Sequence, residues 1–285
     1  IDRNINYINE KRRTYAGDEP VPFNNYSLTF TGDGGTGSDD EKDYVTTDFN
    51  PDTYFLRKGF TWSFWFRPDQ ITGTHHALGR RAGSGNHRFF FGIAGSRLVA
   101  GIGEGILNGG ASTSYHGMEV GKWYHWALTY TGDSNTGGDN TRLIYKNGVL
   151  HYPTGTPGNV RWKNPSDGTS GGENIYFGGR NNNGNYTNGM ACGIDEVAIY
   201  NHDSHTYENL PHDADWVKGV YDGGTKYDHT GADNLVGYWK FNEGSGTTVE
   251  DLSGNGNHGT FVPIGTVNHT GNGTVTTALP TWEER

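Results

Sequence analysis

The 285-residue chain has one cysteine, Cys192, two methionines and ten prolines. A lone thiol excludes an intramolecular disulfide framework and a cysteine-based zinc site. Positive charge is also scarce. Lys and Arg number 22 against 32 Asp and Glu, a formal charge of −10, so the basic footprint of a phosphate binder is missing and nucleic acid is excluded as a partner. No apolar run approaches the length of a membrane span. The longest, such as Phe89-Phe90-Phe91-Gly92-Ile93-Ala94, is strand-sized, so no membrane insertion is expected. Long stretches with a 3.6-residue apolar period are absent too, and 210–221 is the one short helix candidate.

Glycine and aromatic side chains are abundant instead. Apolar residues make up 32% and aromatics 13%, beside 46 glycines. Apolar residues and glycine together reach about half of the chain, the ordinary share of a folded domain, with a core built from few, large side chains. Residues 1–24 are polar, carry a Lys11-Arg12-Arg13 cluster and show no period; they read as an arm or linker. The chain opens on Ile1 with no signal-peptide pattern, so either a segment has been removed or this is a stretch of a longer chain.

From Asn25 onward, short alternating runs are separated by Gly-, Asn- and Asp-rich turns. Strands are predicted at 26–30, 43–47, 60–67, 77–81, 87–93, 98–102, 112–116, 123–130, 142–145, 149–152, 174–177 and 194–200. Asn147-Gly148 between two of them is a hairpin signal. Many short strands without intervening helices predict an all-β sandwich or barrel. Two strands lack a polar face. Phe60, Trp62, Phe64 and Phe66 form one stripe, with Trp65 opposite; Tyr124, Trp126, Leu128 and Tyr130 form another, with Trp123 and His125 opposite. An aromatic on the second face of a sandwich strand is either covered by a loop or exposed in a groove.

These runs, with Gly193-Ile194-Asp195-Glu196-Val197-Ala198-Ile199-Tyr200 and the block from Leu235-Val236-Gly237-Tyr238-Trp239 through Asp251-Leu252-Ser253-Gly254-Asn255-Gly256-Asn257-His258-Gly259, resemble the laminin-G-like jelly rolls of the concanavalin A-like lectin/glucanase superfamily. The resemblance spans about 26–261 and implies a two-sheet antiparallel jelly-roll sandwich over 25–262, followed by a tail, 263–285. The last block resembles a segment that usually opens such domains. It is expected to fold back as the strand that closes this sandwich, because an unpaired Tyr238-Trp239-Lys240-Phe241 strand is an aggregation edge; the alternative is the start of a truncated repeat.

Glycoside hydrolysis needs two carboxylates about 5–10 Å apart. The glucanases of the superfamily carry them as Glu-x-Asp-x-x-Glu on one strand, and no such run exists here. Simple alternation puts Asp195 and Glu196 on opposite faces. The chain is therefore expected not to be an enzyme. His202-Asp203-Ser204-His205 holds two imidazoles but lies on no predicted helix, where a zinc pair at that spacing belongs. Gly101-Ile102-Gly103-Glu104-Gly105 has no helix after it, so it is no nucleotide site. Cys192 reads as a small buried strand residue.

Calcium takes oxygens from acidic turns, and 32–41 is such a turn. In related jelly rolls a calcium ties the early turn to the strand holding Ile-Asp-Glu, which implies Ca²⁺ ligands at Asp33 and Asp195, with Asp39 as a further candidate. Sugars offer apolar faces for aromatic rings and hydroxyls for Asn, Asp, Arg and His. On that ground the candidate glycan contacts are Trp65, Trp123, His125, Arg180, Asn182 and Tyr186. The reading is a non-catalytic, lectin-like carbohydrate-binding module, calcium-stabilised and extracellular or surface-displayed. The alternative is a structural or adhesion component of an extracellular assembly or virion surface, contacting neighbouring protein subunits through the N-terminal arm. Asn-x-Ser/Thr sequons begin at Asn25, Asn185, Asn268 and Asn272; they carry glycans only in a host that modifies them.

Overall fold

The computed structural model describes residues 26–32, 43–55, 59–82, 87–103, 105–108, 116–131, 142–154, 173–182, 185–202, 212–224, 227–262 and 279–284. Their strands, numbered in chain order, form two sheets. The first has eight strands. It runs β10 (Val149–Thr154), β9 (Arg142–Lys146), β8 (Tyr124–Tyr130), β3 (Gly59–Pro68), β14 (Cys192–His202), β1 (Tyr26–Phe30) and β18 (Thr281–Glu284), with β15 (Leu235–Trp239) also beside β14. The second has ten strands. Its path is β16 (Thr248–Val249), β17 (Gly259–Val262), β2 (Tyr44–Thr47), β11 (Tyr176–Phe177), β4 (Thr74–Ala82), β5 (His87–Ala94), β6 (Arg97–Gly103) and β7 (Gly105–Asn108). The hairpin of β12 (Arg180–Asn182) and β13 (Asn185–Thr187) joins β4 from one side. Pairing is antiparallel except for β12 on β4. This is the expected jelly-roll sandwich.

The aromatic stripes of β3 and β8 both point into the space between the sheets. There Trp62 stacks on Phe89 with centroids 4.3 Å apart, and Phe91 meets Phe64 and Trp126 at 4.8 and 5.4 Å. Burying rings of this size is the main source of stability in a chain with few aliphatics. The Asn147-Gly148 hairpin forms as expected, with φ of 51° and 74° at the two turn residues, the left-handed pair that a type I′ turn demands. Residues 112–115 of one expected strand lie outside the described residues.

The block at 235–262 takes part in both sheets. β15 pairs with the second half of β14, and β17 pairs with β2. Asp251 anchors the connection by accepting the backbone N–H groups of Tyr238, Ser253 and Asn257 at 2.9, 2.9 and 2.8 Å. Trp239 donates its indole N–H to the Asn257 carbonyl at 2.9 Å. At the end of the tail β18 pairs with β1, and its Glu283 accepts from Arg67 at 2.6 Å.

Two short helices complete the described fold. Asn50 caps α1 (Pro51–Tyr54), and Asp52 on it meets the buried Arg80 guanidinium of β4 at 2.5 Å. Sequence pattern did not reveal α1. Asp213 caps α2 (Ala214–Gly223) through Asp215 and Trp216 N–H groups, and α2 begins four residues later than the expected 210–221 segment because that cap fixes its start.

Candidate functional site

The two sheets differ in what lies on their outer faces. On the first, Trp65 of β3 is the cross-strand partner of His125 on β8, with ring centroids 5.4 Å apart. Nε2 of His125 shares a hydrogen bond of 2.9 Å with the Ser63 hydroxyl. Tyr221 of α2 closes over both rings, 5.9 Å from Trp65 and 6.2 Å from His125. Burial depresses the His125 pKa to about 3, so its ring is neutral at pH 7. Trp123 lies just before β8, beneath the Arg67 guanidinium at 5.4 Å. A Cβ on Gly193 would come within 2.9 Å of its indole, so only glycine leaves room there. Of the two arrangements open to this face, cover and groove, the structure has cover. Trp65, Trp123 and His125 are 2%, 6% and 0% exposed, and a ligand reaches them only if α2 and Arg67 move.

β14 departs from simple alternation. Its register against β3 shifts between Asp195 and Ala198, and Glu196 has φ of 51°. The extra residue of this bulge turns both acids to the outer face, correcting the expectation that they point apart. Glu196 accepts the hydroxyl proton of Tyr238 there, and the Asp195 carboxylate accepts the Glu196 N–H at 2.9 Å. Asp33 and Asp39 lie outside the described residues. Gly32, which leads into their turn, sits against Ala191, where a Cβ would be 2.3 Å from the backbone nitrogen. Asp195 is four residues further on, roughly 13 Å at the strand rise. The buried Asp43 carboxylate holds the turn, accepting Thr31 N–H at 2.8 Å and Gly32 N–H at 3.2 Å. Among the described residues no three His, Cys, Asp or Glu side chains are grouped to hold a metal ion.

The outer face of the second sheet is different. Cross-strand partners Thr260, Thr46, Tyr176, Gly79, Phe90 and Gly101 form a row across β17, β2, β11, β4, β5 and β6, while Val45, Phe177 and Leu78 point into the core. Tyr44 lies next to the row. Its ring is 5.0 Å from that of Tyr176, tilted by 33°, and both side chains are half-buried. Burial raises the pKa of each phenol, and Tyr44 and Glu173 raise that of Tyr176 further. Both hydroxyls therefore stay protonated donors at neutral pH.

Further along this face Arg180 places its guanidinium 5.1 Å from the Phe90 ring and reaches His76 and Asn188 at 3.3 and 3.4 Å. Asn182 is half-buried on the same strand, and Asn181 donates to the Asn174 carbonyl at 2.8 Å. The Tyr186 side chain lies outside the described ones. The structure thus brings Arg180 and Asn182 onto the sheet that carries Tyr44 and Tyr176, two residues that sequence reasoning missed. Their signal was the alternation Tyr44-Val45-Thr46 and Tyr176-Phe177, each with its apolar partner inward.

A third feature is an open cleft of about 400 Å³ at the sandwich edge, lined by Glu243, Thr247, Thr248, Glu250 and His258 among others. Glu243 accepts the Glu250 N–H at 2.8 Å. Burial raises its pKa, and its second oxygen is sealed from solvent with no hydrogen-bond partner.

The family model of the concanavalin A-like lectin/glucanases superfamily matches residues 39–205, more than half of the 285. No curated protein matches the sequence. Among solved structures, a Bacteroides ovatus protein assigned as carbohydrate-binding aligns at 15% identity and a TM-score of 0.54, over 93% of this chain and 61% of that one. This chain therefore spans about three-fifths of the length of that neighbour. The CBM40 module of Ruminococcus gnavus IT-sialidase, bound to α2,3-sialyllactose, aligns at 15% identity and a TM-score of 0.42, over 72% and 97% of the two chains. A SAP-like pentraxin of Limulus polyphemus gives 12% identity and a TM-score of 0.43, over 70% and 83%.

Proposed function

The chain belongs to the concanavalin A-like lectin/glucanases superfamily, and on that ground we propose that it is a non-catalytic, lectin-like module that binds glycan outside a cell. Fold alone does not decide function. The observation that carries the reading is the half-buried Tyr44–Tyr176 pair on the outer face of the second sheet, with centroids 5.0 Å apart. Two adjacent rings cover the apolar face of a sugar, and the phenol hydroxyls with Thr46 and Asn182 offer partners for its hydroxyls. A carbohydrate-binding assignment for the Bacteroides ovatus neighbour is consistent with this use of the fold.

A structural calcium at the turn between β1 and β2, held by Asp33 and Asp39, is the finer part of the proposal; Asp195 would join it only through donors beyond the described residues. The test is a glycan array run with calcium and with EDTA, on the wild-type chain and on Tyr44→Ala and Tyr176→Ala. Selective binding lost in both variants supports the tyrosine face, and loss with EDTA supports the calcium. Binding that survives both substitutions moves the site elsewhere. No binding by the wild type overturns the glycan reading for the arrayed sugars. Burial of both Trp65 and Trp123 favours a second reading, an adhesion or assembly component that uses its sheet faces for protein contacts, and that outcome would shift weight to it.

A further inference from the structure

The outer face of the first sheet buries an unusual set of side chains, and it suggests a function for α2 beyond structural cover. Three histidines, His125, His212 and His229, lie where α2 and the segment 227–234 pack on this sheet. None belongs to the aromatic core between the sheets. Their exposures are 0%, 8% and 2%.

Each imidazole faces rings and few charges. His125 has Trp65 and Ser63 of β3 beside it and Tyr221 of α2 above it. His229 accepts or donates through Nδ1 to the Tyr200 hydroxyl of β14 at 2.6 Å. Tyr227, Trp216 of α2 and Tyr238 of β15 surround it at 4.8, 6.3 and 5.1 Å. His212 lies against Trp216 at 4.2 Å and Tyr200 at 4.4 Å, with His202 at 6.4 Å. The charged neighbours are Asp228 and Lys240 for His229 and Asp213 for His212. The buried acids of this face are Glu196, engaged by Tyr238, and Asp195, the cross-strand partner of Trp65, which accepts the Glu196 N–H.

We propose that α2 and the segment following it form an acid-released cover, which detaches from the first sheet when these imidazoles take up protons and so exposes Trp65 and Trp216. Burial holds His212 at about 4 and His125 and His229 at about 3, below the usual value near 6.5. A group whose pKa is depressed in the covered state binds more protons once uncovered. The cover is therefore fully stable above about pH 6.5 and weakens as pH falls towards 4. The three cations would repel one another and Lys240, with Asp213 and Asp228 offsetting part of that charge.

Release is local for a structural reason. α2 is ten residues long and buries Val217 and Val220, whereas the sandwich beneath is held by the aromatic core between the sheets, which contains none of the three histidines; His125 is on the ladder strand β8 but turns its ring to the outer face, under Tyr221. Segments with few buried apolar contacts open first.

The test is hydrogen exchange of the full chain, read by mass spectrometry and corrected for the intrinsic pH dependence of exchange. It compares about pH 7 with about pH 4.5. Peptides covering α2 and 227–234 are expected to lose protection about tenfold or more while β3, β5 and β15 keep theirs. Single His→Gln variants at 125, 212 and 229 are expected to move the midpoint of that loss to lower pH. Simultaneous loss in α2 and β3 means global acid unfolding and overturns the proposal, as does unchanged protection of α2. If no His→Gln variant that folds moves the midpoint, the assignment to these imidazoles fails.

Discussion

Glu196 accepts the hydroxyl proton of Tyr238 while its own backbone sits at φ 51°. A non-glycine residue in that region costs about 1–2 kcal/mol, and the bulge is what lets its carboxylate reach β15. The pair ties the second half of β14 to the C-terminal block. Tyr238→Phe removes the donor facing a buried carboxylate and is expected to lower unfolding stability by about 2–3 kcal/mol. Urea titration followed by tryptophan fluorescence reads it. A loss below about 0.5 kcal/mol would mean that the hydrogen bond does not hold the block.

Asp251 organises the turn after β16 by accepting three backbone N–H groups. Asp251→Ala leaves three donors in a buried setting, each costing about 1 kcal/mol or more, so a loss of about 3 kcal/mol is expected. Asp251→Asn keeps one acceptor oxygen and should recover part of it. Thermal melts of the two variants, ranked against wild type, check the order: Ala lowest, Asn between.

Cys192 is fully buried in β14, opposite Pro68 of β3, and burial with the nearby Asp69 and Asp43 carboxylates pushes its thiol pKa well up. Thiolate is the reactive form. In native buffer near pH 8 the thiol is therefore expected to stay unlabelled by an aromatic disulfide reagent, and to react stoichiometrically on addition of denaturant. The onset of labelling then reports opening of the sandwich core. Rapid native labelling would show that β14 is accessible from solvent.

The sandwich itself was legible because its evidence is local. Alternation in 60–67 and 123–130 puts four large residues on one face of each strand, and period-two patterns define a sheet face wherever it is buried. The Asn147-Gly148 turn is equally local. The bulge at Glu196 was not legible, because nothing in Ile-Asp-Glu-Val-Ala marks where an extra residue sits; it is set by the junction at which β14 changes partner from β1 to β15. Cover over Trp65 was one of the two readings open to that face, but the element that supplies it was not legible. Tyr221 reaches that face only after the chain has closed its sheet, and a residue 156 positions away leaves no trace in a local pattern. Asp195 was carried over from a family resemblance, and the Asp33 and Asp39 it was expected to join lie outside the described residues.

Tyr44 and Tyr176 form the last test, because their expected effect on binding differs from their effect on folding. Both are half-buried on an outer face rather than in the core, so truncating either should cost little stability. An aromatic stacking contact is worth about 0.5–1.5 kcal/mol beyond its area, which corresponds to a two- to tenfold weakening of glycan affinity for each alanine variant at about 25 °C. Tyr44→Phe and Tyr176→Phe keep the rings and should retain the stacking part. Isothermal titration with a sugar identified on the array would separate the two. Alanine variants that melt with the wild type and bind about tenfold more weakly would place the sugar on this face. Variants that bind as tightly as wild type while melting lower would make the pair a packing feature of the sheet, and would shift the search for the glycan site to Arg180 and Asn182 on β12.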